Sequence, residues 1–160
     1  MGTSAIETKM PGTGRITWQA TAVLGLLFLG IGAASALMVW LPAGFGSPEW
    51  EFATPPDFFS NFPLLGLGLA LLIAHGVATG RKVQVRVLAT ACILIAVFMW
   101  LAFTLFATTF PMTLRVVSDP SKLTPLKKLG ARTLVQAAVY PFALLWLAGA
   151  GWKATLVRRR

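Results

Sequence analysis

The fold class is decided by the stretch Phe62-Pro-Leu-Leu-Gly-Leu-Gly-Leu-Ala-Leu-Leu-Ile-Ala-His-Gly-Val-Ala-Thr-Gly80, which is followed at once by Arg81-Lys82-Val-Gln-Val-Arg86. From Phe58 to Gly80 there are 23 residues without an acid, Lys or Arg. A helix rising about 1.5 Å per residue crosses the hydrocarbon of a bilayer in roughly 20 residues. The stretch therefore predicts a membrane-spanning helix that three cations close on one side.

The composition of the whole chain is also typical of a membrane protein. Of its 160 residues 56% are hydrophobic and 12% are charged, whereas about a quarter of a soluble domain is charged. The net charge of +9 is spread over short cationic clusters between apolar runs. Such clusters indicate topology signals and contacts with headgroups, so we expect anionic lipids and no nucleic acid as partners. The single cysteine, Cys92, predicts a small packing residue within a span.

Three further apolar runs flank the first one and give four predicted spans, at about 16–41, 62–80, 87–110 and 133–152. Trp18 and Trp40 lie near the two ends of the first span, where indole rings favour the headgroup boundary. Pro111 ends the third span, Trp100 within it is expected to pack between helices, and Pro141 predicts a kink in the fourth. The predicted fold class is all-α, an integral membrane bundle of four transmembrane helices.

The rest of the chain divides into tails and connections. Residues 1–15 predict a flexible cytoplasmic tail with no cleavable signal peptide, 16–157 the transmembrane domain, and 158–160 a basic tail. The linker 42–61 holds three of the five acids and no Lys or Arg, and it predicts an interfacial loop or, as the alternative, a lid over a substrate or partner. In the basic segment 111–132 leucines recur at helical spacing, which predicts a short amphipathic turn lying on the membrane.

The distribution of cations orients the predicted bundle. With the N-terminus inside, nine of the 14 Lys and Arg residues lie on the cytoplasmic side. This excess predicts that both termini are cytoplasmic. The expected location is a bacterial inner membrane. The basic outer segment predicts contact with lipid or with an extracytoplasmic protein. The contact residues expected there are Arg115, Lys122, Lys127, Lys128 and Arg132, with Trp50 from the linker.

Glycines in the first two spans predict close helix packing. Small residues let helix backbones approach each other, which in lipid replaces the missing hydrophobic force between helices. The predicted packing positions are Gly25, Gly30, Gly32, Gly66, Gly68, Gly76 and Gly80.

His75 is the only histidine of the chain, and it lies within a predicted span. Such a residue is costly in a membrane and suggests a function. Three interpretations stand: an interhelical or interfacial hydrogen bond, a ligand for haem or a chlorophyll-type pigment, and a role in transport. A bis-histidine haem would need a second histidine, so no cofactor is predicted outright. The spans hold no Asp, Glu, Lys or Arg, and motifs such as HExxH or GxSxG are missing from the sequence, so we expect no enzymatic activity.

The segment Phe58-Phe59-Ser-Asn-Phe62-Pro63-Leu-Leu-Gly66-Leu-Gly68-Leu-Ala-Leu-Leu-Ile-Ala74 resembles the small membrane subunit of the tripartite tricarboxylate transporters. The sequence Leu129-Gly-Ala-Arg132-Thr-Leu, which leads into the fourth span, is similar too. The resemblance implies four spans, a large transporter subunit as partner and an extracytoplasmic binding protein. Pro55-Pro56-Asp57 stands where that family has Gly-Pro-Gly, so no functional residue is carried over.

Together these features predict a non-catalytic accessory subunit that packs against a larger integral membrane subunit, such as that of a solute transporter. Two alternatives remain open at this point. One is a cofactor-binding, pigment-binding or scaffolding subunit of a respiratory or photosynthetic complex. The other is a stand-alone small membrane transporter or enzyme.

Overall fold

A computed structural model describes residues 12–40, 48–116 and 120–157, which form four helices and no strand. The helices are α1 (Gly12–Trp40), α2 (Pro48–Ala78), α3 (Lys82–Val116) and α4 (Pro120–Val157). Each is long and apolar enough to cross a membrane. The predicted all-α class with four such helices is therefore confirmed, while the cytoplasmic position of the termini stays a prediction. Helix α1 begins inside the predicted 1–15 tail, and the remaining tail residues lie outside the described ranges.

Helix α2 begins much earlier than the sequence predicted. Residues 48–61 were expected to be an interfacial loop, but they form the first turns of α2. Pro55 and Pro56 lie inside this helix and are buried, and Phe58 and Phe59 face the core. Proline removes one backbone hydrogen bond, a loss that membrane helices tolerate when neighbouring groups compensate. The buried positions therefore continue the core-facing stripe of α2 towards its N-terminus.

Helices α3 and α4 also extend past the predicted spans, because α3 continues through Pro111 and α4 starts at Pro120. They contain 35 and 38 residues, or about 52 and 57 Å at 1.5 Å per residue. Both exceed the hydrocarbon thickness of about 30 Å. Residues 111–116 and 120–132, here called the α3–α4 extension, are thus helical. The predicted membrane-surface turn is wrong as a separate element, although Leu126 is half-buried and Lys127 and Lys128 are exposed, as its amphipathic pattern requires.

Successive helices run antiparallel, so α2 and α4 run parallel to each other. We call the end of the bundle where α2 meets α3 the turn end, and the opposite end the loop end. The residue pairs that fix these directions are Trp18–His75 and Gly32–Leu65 for α1 and α2, Gly76–Val85 and Phe58–Phe98 for α2 and α3, and Arg86–Trp152 and Phe110–Gly130 for α3 and α4.

Helix α2 is the central element of the bundle. Within the described residues it packs against all three other helices, whereas α1 packs against α2 alone. Accordingly, 44% of the residues in an apolar 18-residue stretch of α2 are buried, but only 17% in the corresponding stretch of α1. The core lies between α2, α3 and α4, and its largest fully buried side chains include Phe59, Leu69, Met99, Phe106 and Leu144.

Cys92 is buried in this core, as predicted for a small packing residue. Trp100 contacts Phe142 of α4 but is 40% exposed, so it is less enclosed than expected.

The turn between α2 and α3 depends on Gly80, whose φ of 74° lies in the left-handed region. The Arg81 N–H donates to the Gly76 carbonyl at 2.9 Å and the Gly80 N–H to the Val77 carbonyl at 3.3 Å. This pair of bonds is the Schellman arrangement that ends a helix with a left-handed glycine. Gly80 therefore stops α2 and reverses the chain. The prediction that it also packs against another helix stays a prediction.

Replacing Gly80 by alanine should destabilise the protein, because a Cβ in the left-handed region costs roughly 1–2 kcal/mol. Gly149→Ala is the matched control, since a Cβ there meets no described atom within 4 Å. Unfolding of the detergent-solubilised protein, followed by circular dichroism during an SDS titration, measures both variants. Equal stabilities of the two variants would contradict the role assigned to the turn.

Candidate functional site

The closest approach between helices is a seam of glycines between α1 and α2. A Cβ built at Gly32 would lie 2.5 Å from the Leu65 backbone nitrogen. One built at Gly25 would lie 2.9 Å from the Leu72 side chain, and one at Gly68 would collide with the Leu29 backbone. Real Cβ atoms do not approach other atoms this closely, so only glycine fits at the two backbone contacts. Gly25, Gly32 and Gly68 therefore lie where α1 and α2 approach each other most closely.

The other predicted packing glycines have different surroundings. A Cβ at Gly76 would lie 2.7 Å from Val85 of α3, so Gly76 serves a helix contact as predicted. The atoms nearest to a Cβ at Gly66 would belong to Phe62 of its own helix, and a Cβ at Gly30 would meet no described atom within 4 Å. Within the described part of the chain these two positions meet no other helix in this way, and packing by Gly66 and Gly30 stays a prediction. Glycine frequency alone does not tell which face of a helix is covered.

His75 is buried at the turn end of α2 and connects it to α1. Its Nδ1 lies 2.8 Å from the backbone oxygen of Trp18. A carbonyl oxygen can only accept a hydrogen bond, so Nδ1 is the donor; in the neutral ring Nε2 then keeps its lone pair. The interhelical hydrogen bond, one of the three interpretations of this residue, is thus present. Nε2 is the nitrogen with which His75 could still bind a ligand.

A groove of about 320 Å³ opens between α2 and α4 near the middle of the bundle. Its walls are apolar, with Leu67 and Trp146 partly exposed at the rim. The Gln136 Nε2 lies 3.4 Å from the Tyr140 hydroxyl, and the Gln136 Oε1 is buried without a described hydrogen-bond partner. The groove resembles a lipid-facing depression more than a reaction site, because its lining offers few polar groups.

Cations gather at both ends of the bundle, but in different settings. At the turn end the Arg86 guanidinium lies over the Trp152 ring, 6.0 Å from its centroid, and its Nε is buried without a described partner. Lys82 is half-buried beside a small hollow between α2 and α4. At the loop end all the described cations are exposed, namely Arg115, Lys127, Lys128 and Arg132. The predicted contacts of Lys122 and Trp50 fall on side chains outside the described residues.

Sequence reasoning missed two of these features. Gly130 lies so close to the Phe110 ring that a Cβ there would overlap it, which makes it a packing glycine of α3 and α4. The pairing of Arg86 with Trp152 joins residues far apart in sequence, and only the antiparallel register of α3 and α4 reveals it. Within the described side chains no group of three His, Cys, Asp or Glu residues could hold a metal ion.

Comparison of the chain with known protein families, curated proteins and solved structures finds no match. The arguments for function below therefore come from the geometry of the chain itself.

Gly32→Ala should push α1 away from α2, because its Cβ would clash with the Leu65 backbone, and such overpacking costs about 1–3 kcal/mol. Gly30→Ala, two residues away on the open face of the same helix, should not lower stability and should raise it by up to about 1 kcal/mol through helix propensity. The free energy of unfolding in detergent, measured for both variants, tests the seam. A loss of similar size in both would show that α1 does not dock by the observed face.

His75→Ala should remove one interhelical hydrogen bond and lower stability by about 1 kcal/mol. If His75 serves only that bond, the visible absorption spectrum of the protein purified from native membranes should be the same for the variant and the wild type. A haem or pigment band that disappears in the variant would instead establish His75 as a cofactor ligand.

Proposed function

We propose that the chain is a non-catalytic accessory subunit that docks on a larger integral membrane protein through the outer face of α1. The observation that carries this proposal is the isolation of α1. It packs against α2 alone among the described helices, and most of its span is uncovered. The uncovered face carries Gly30 and Ala34, four residues apart and both exposed.

Small residues on this face favour a protein neighbour over lipid. In a membrane, glycine and alanine four residues apart allow the backbones of two helices to come close. Glycine also weakens a helix by up to about 1 kcal/mol relative to alanine, a cost that a lipid-facing position does not repay. The exposed side chains of Val23, Leu27 and Leu37 continue the same helical stripe. A partner helix could therefore fit between them at Gly30.

The α3–α4 extension supports a second contact, on the outer side of the membrane. Its helices are longer than the bilayer is thick, and the cations at and next to it are exposed. An acidic surface of an extracytoplasmic protein would complement these charges and associate faster because of them. The partners implied by the resemblance, a large transporter subunit and an extracytoplasmic binding protein, fit the two surfaces. The bacterial inner membrane is the location that belongs to this proposal.

A cofactor at His75 remains the alternative that a specific observation favours. The bond from Nδ1 to the Trp18 carbonyl orients the imidazole and leaves Nε2 as the ligating atom, an arrangement that histidine ligands commonly show. The accessory role is preferred because Gly30 and Ala34 have no other evident use in the described structure. A stand-alone transporter or enzyme is supported least, because the sequence of the spans provides no acid or cation.

Gly30→Ile should abolish co-purification of the larger subunit from native membranes while leaving the fold intact, because a branched side chain fills the docking face. Gly149→Ile is the control, since Gly149 on α4 also faces open space. Affinity purification in mild detergent, with circular dichroism of each variant, measures both properties. If the wild-type protein is monomeric without a membrane partner, or if both variants keep the partner equally, the proposal is wrong.

A further inference from the structure

The turn end of the bundle offers a second site, independent of α1. It collects Arg81 and Lys82 after the Gly80 turn, Arg86 one turn further along α3, and Lys153 near the end of α4. Lys82 and Arg86 are four residues apart, so they lie on the same face of α3. Both are directed towards α4, since Lys82 lines a hollow with Ala154 and Thr155 and Arg86 contacts Trp152.

These cations have no carboxylate to neutralise them among the described side chains. Asp57 is the one acid whose side chain is described, and it lies 24 residues before Arg81 on α2, or about 36 Å along the helix. The Trp152 ring holds the Arg86 guanidinium in place, and the buried Nε has no described acceptor. A partly buried guanidinium without a counter-ion is unfavourable. The site therefore provides positive charge that an anionic ligand could compensate.

Apolar side chains surround the cations on the outside of the bundle. Val83, Val87 and Leu156 are exposed by 76%, 62% and 57%. Trp152 is itself 41% exposed, as expected for an indole at the headgroup boundary. A ligand for this surface needs a negative head beside the cations and a hydrocarbon part beside the valines.

We propose that the turn end binds the phosphate of an anionic phospholipid such as phosphatidylglycerol, with Lys82, Arg86 and Lys153 as its cationic contacts. Trp152 positions Arg86 and borders the glycerol region. The acyl chains lie along the exposed valines of α3. The exposed cations at the loop end lack a described aromatic partner, so they do not form an equivalent site.

Native mass spectrometry of the full-length protein, released from mixed micelles of phosphatidylglycerol and phosphatidylcholine, tests the site. The wild-type protein should retain phosphatidylglycerol selectively, and an excess of inorganic phosphate should not displace it. The triple variant Lys82→Gln/Arg86→Gln/Lys153→Gln should lose this selectivity, with affinity falling roughly fivefold for each cation removed. The control is Lys127→Gln/Lys128→Gln/Arg132→Gln, which removes the same charge from the loop end and should retain the lipid.

Neutralising three cations also weakens the signal that orients the chain, so Arg86→Gln alone serves as the second variant. It should weaken retention roughly fivefold, whereas Arg86→Lys should keep most of it. The proposal is overturned if the wild type retains both lipids equally or if the loop-end control loses as much lipid as the turn-end variant. Displacement by inorganic phosphate would also overturn it, because it would identify a site for the free anion.

Discussion

The close approach of α1 to α2 is the constraint on which the arrangement of this bundle depends. Lipid is as apolar as leucine, so two helices in a membrane gain little from hiding apolar side chains from it. They gain from dispersion contacts when their backbones come close, and those contacts require small residues. Gly32 and Gly68 provide such contact along the seam, each against the backbone of the facing helix. Because α1 has no other described neighbour, its position depends on this seam together with the hydrogen bond between His75 and the Trp18 carbonyl.

The central position of α2 follows from how its faces are used. One face of α2 contacts Gly25 and Leu29 of α1, and another contributes to the aromatic core shared with α3. A third face lies against α4 and borders the groove. In α2, the face that approaches another backbone closely has small side chains, and the face that fills the core has large ones. The sequence of α2 shows this division, with Gly68 towards α1 and Phe59 fully buried in the core.

The sequence was sufficient to predict four apolar helices, because length and hydropathy alone determine which segments can cross a bilayer. It was less informative about where the helices end. Pro111 was predicted to end the third span, and Pro55 and Pro56 fell within the predicted interfacial loop, yet all three lie inside helices. In an apolar environment the loss of the remaining backbone hydrogen bonds would be still more costly. Phe58, Phe62 and Leu65 are spaced as on one face of a helix, and all three are buried. This spacing is a sequence signal that α2 begins before residue 62.

The functional surfaces were only partly predictable for a related reason. Glycine positions were visible in the sequence, but whether Gly30 or Gly32 faces α2 depends on a rotation of about 200° between them. Hydropathy does not determine that rotation, because every face of α1 is apolar. His75 was recognised as an unusual residue, but its partner is a backbone carbonyl, which no side-chain pattern identifies. The Arg86–Trp152 pair required the register of two helices that are joined at the opposite end.

The pattern of neighbours also has a consequence for how the chain is assembled during synthesis. Each helix packs against the one that precedes it, so α2 can pair with α1, and α4 with α3, as soon as each enters the membrane. The α2–α4 contact must wait until the last helix has left the ribosome. We therefore expect two helical hairpins to form early and then to join through α2, with α1 already in place on the far side. Each helix that enters the membrane later therefore packs on helices already present, and no earlier contact between helices has to be broken.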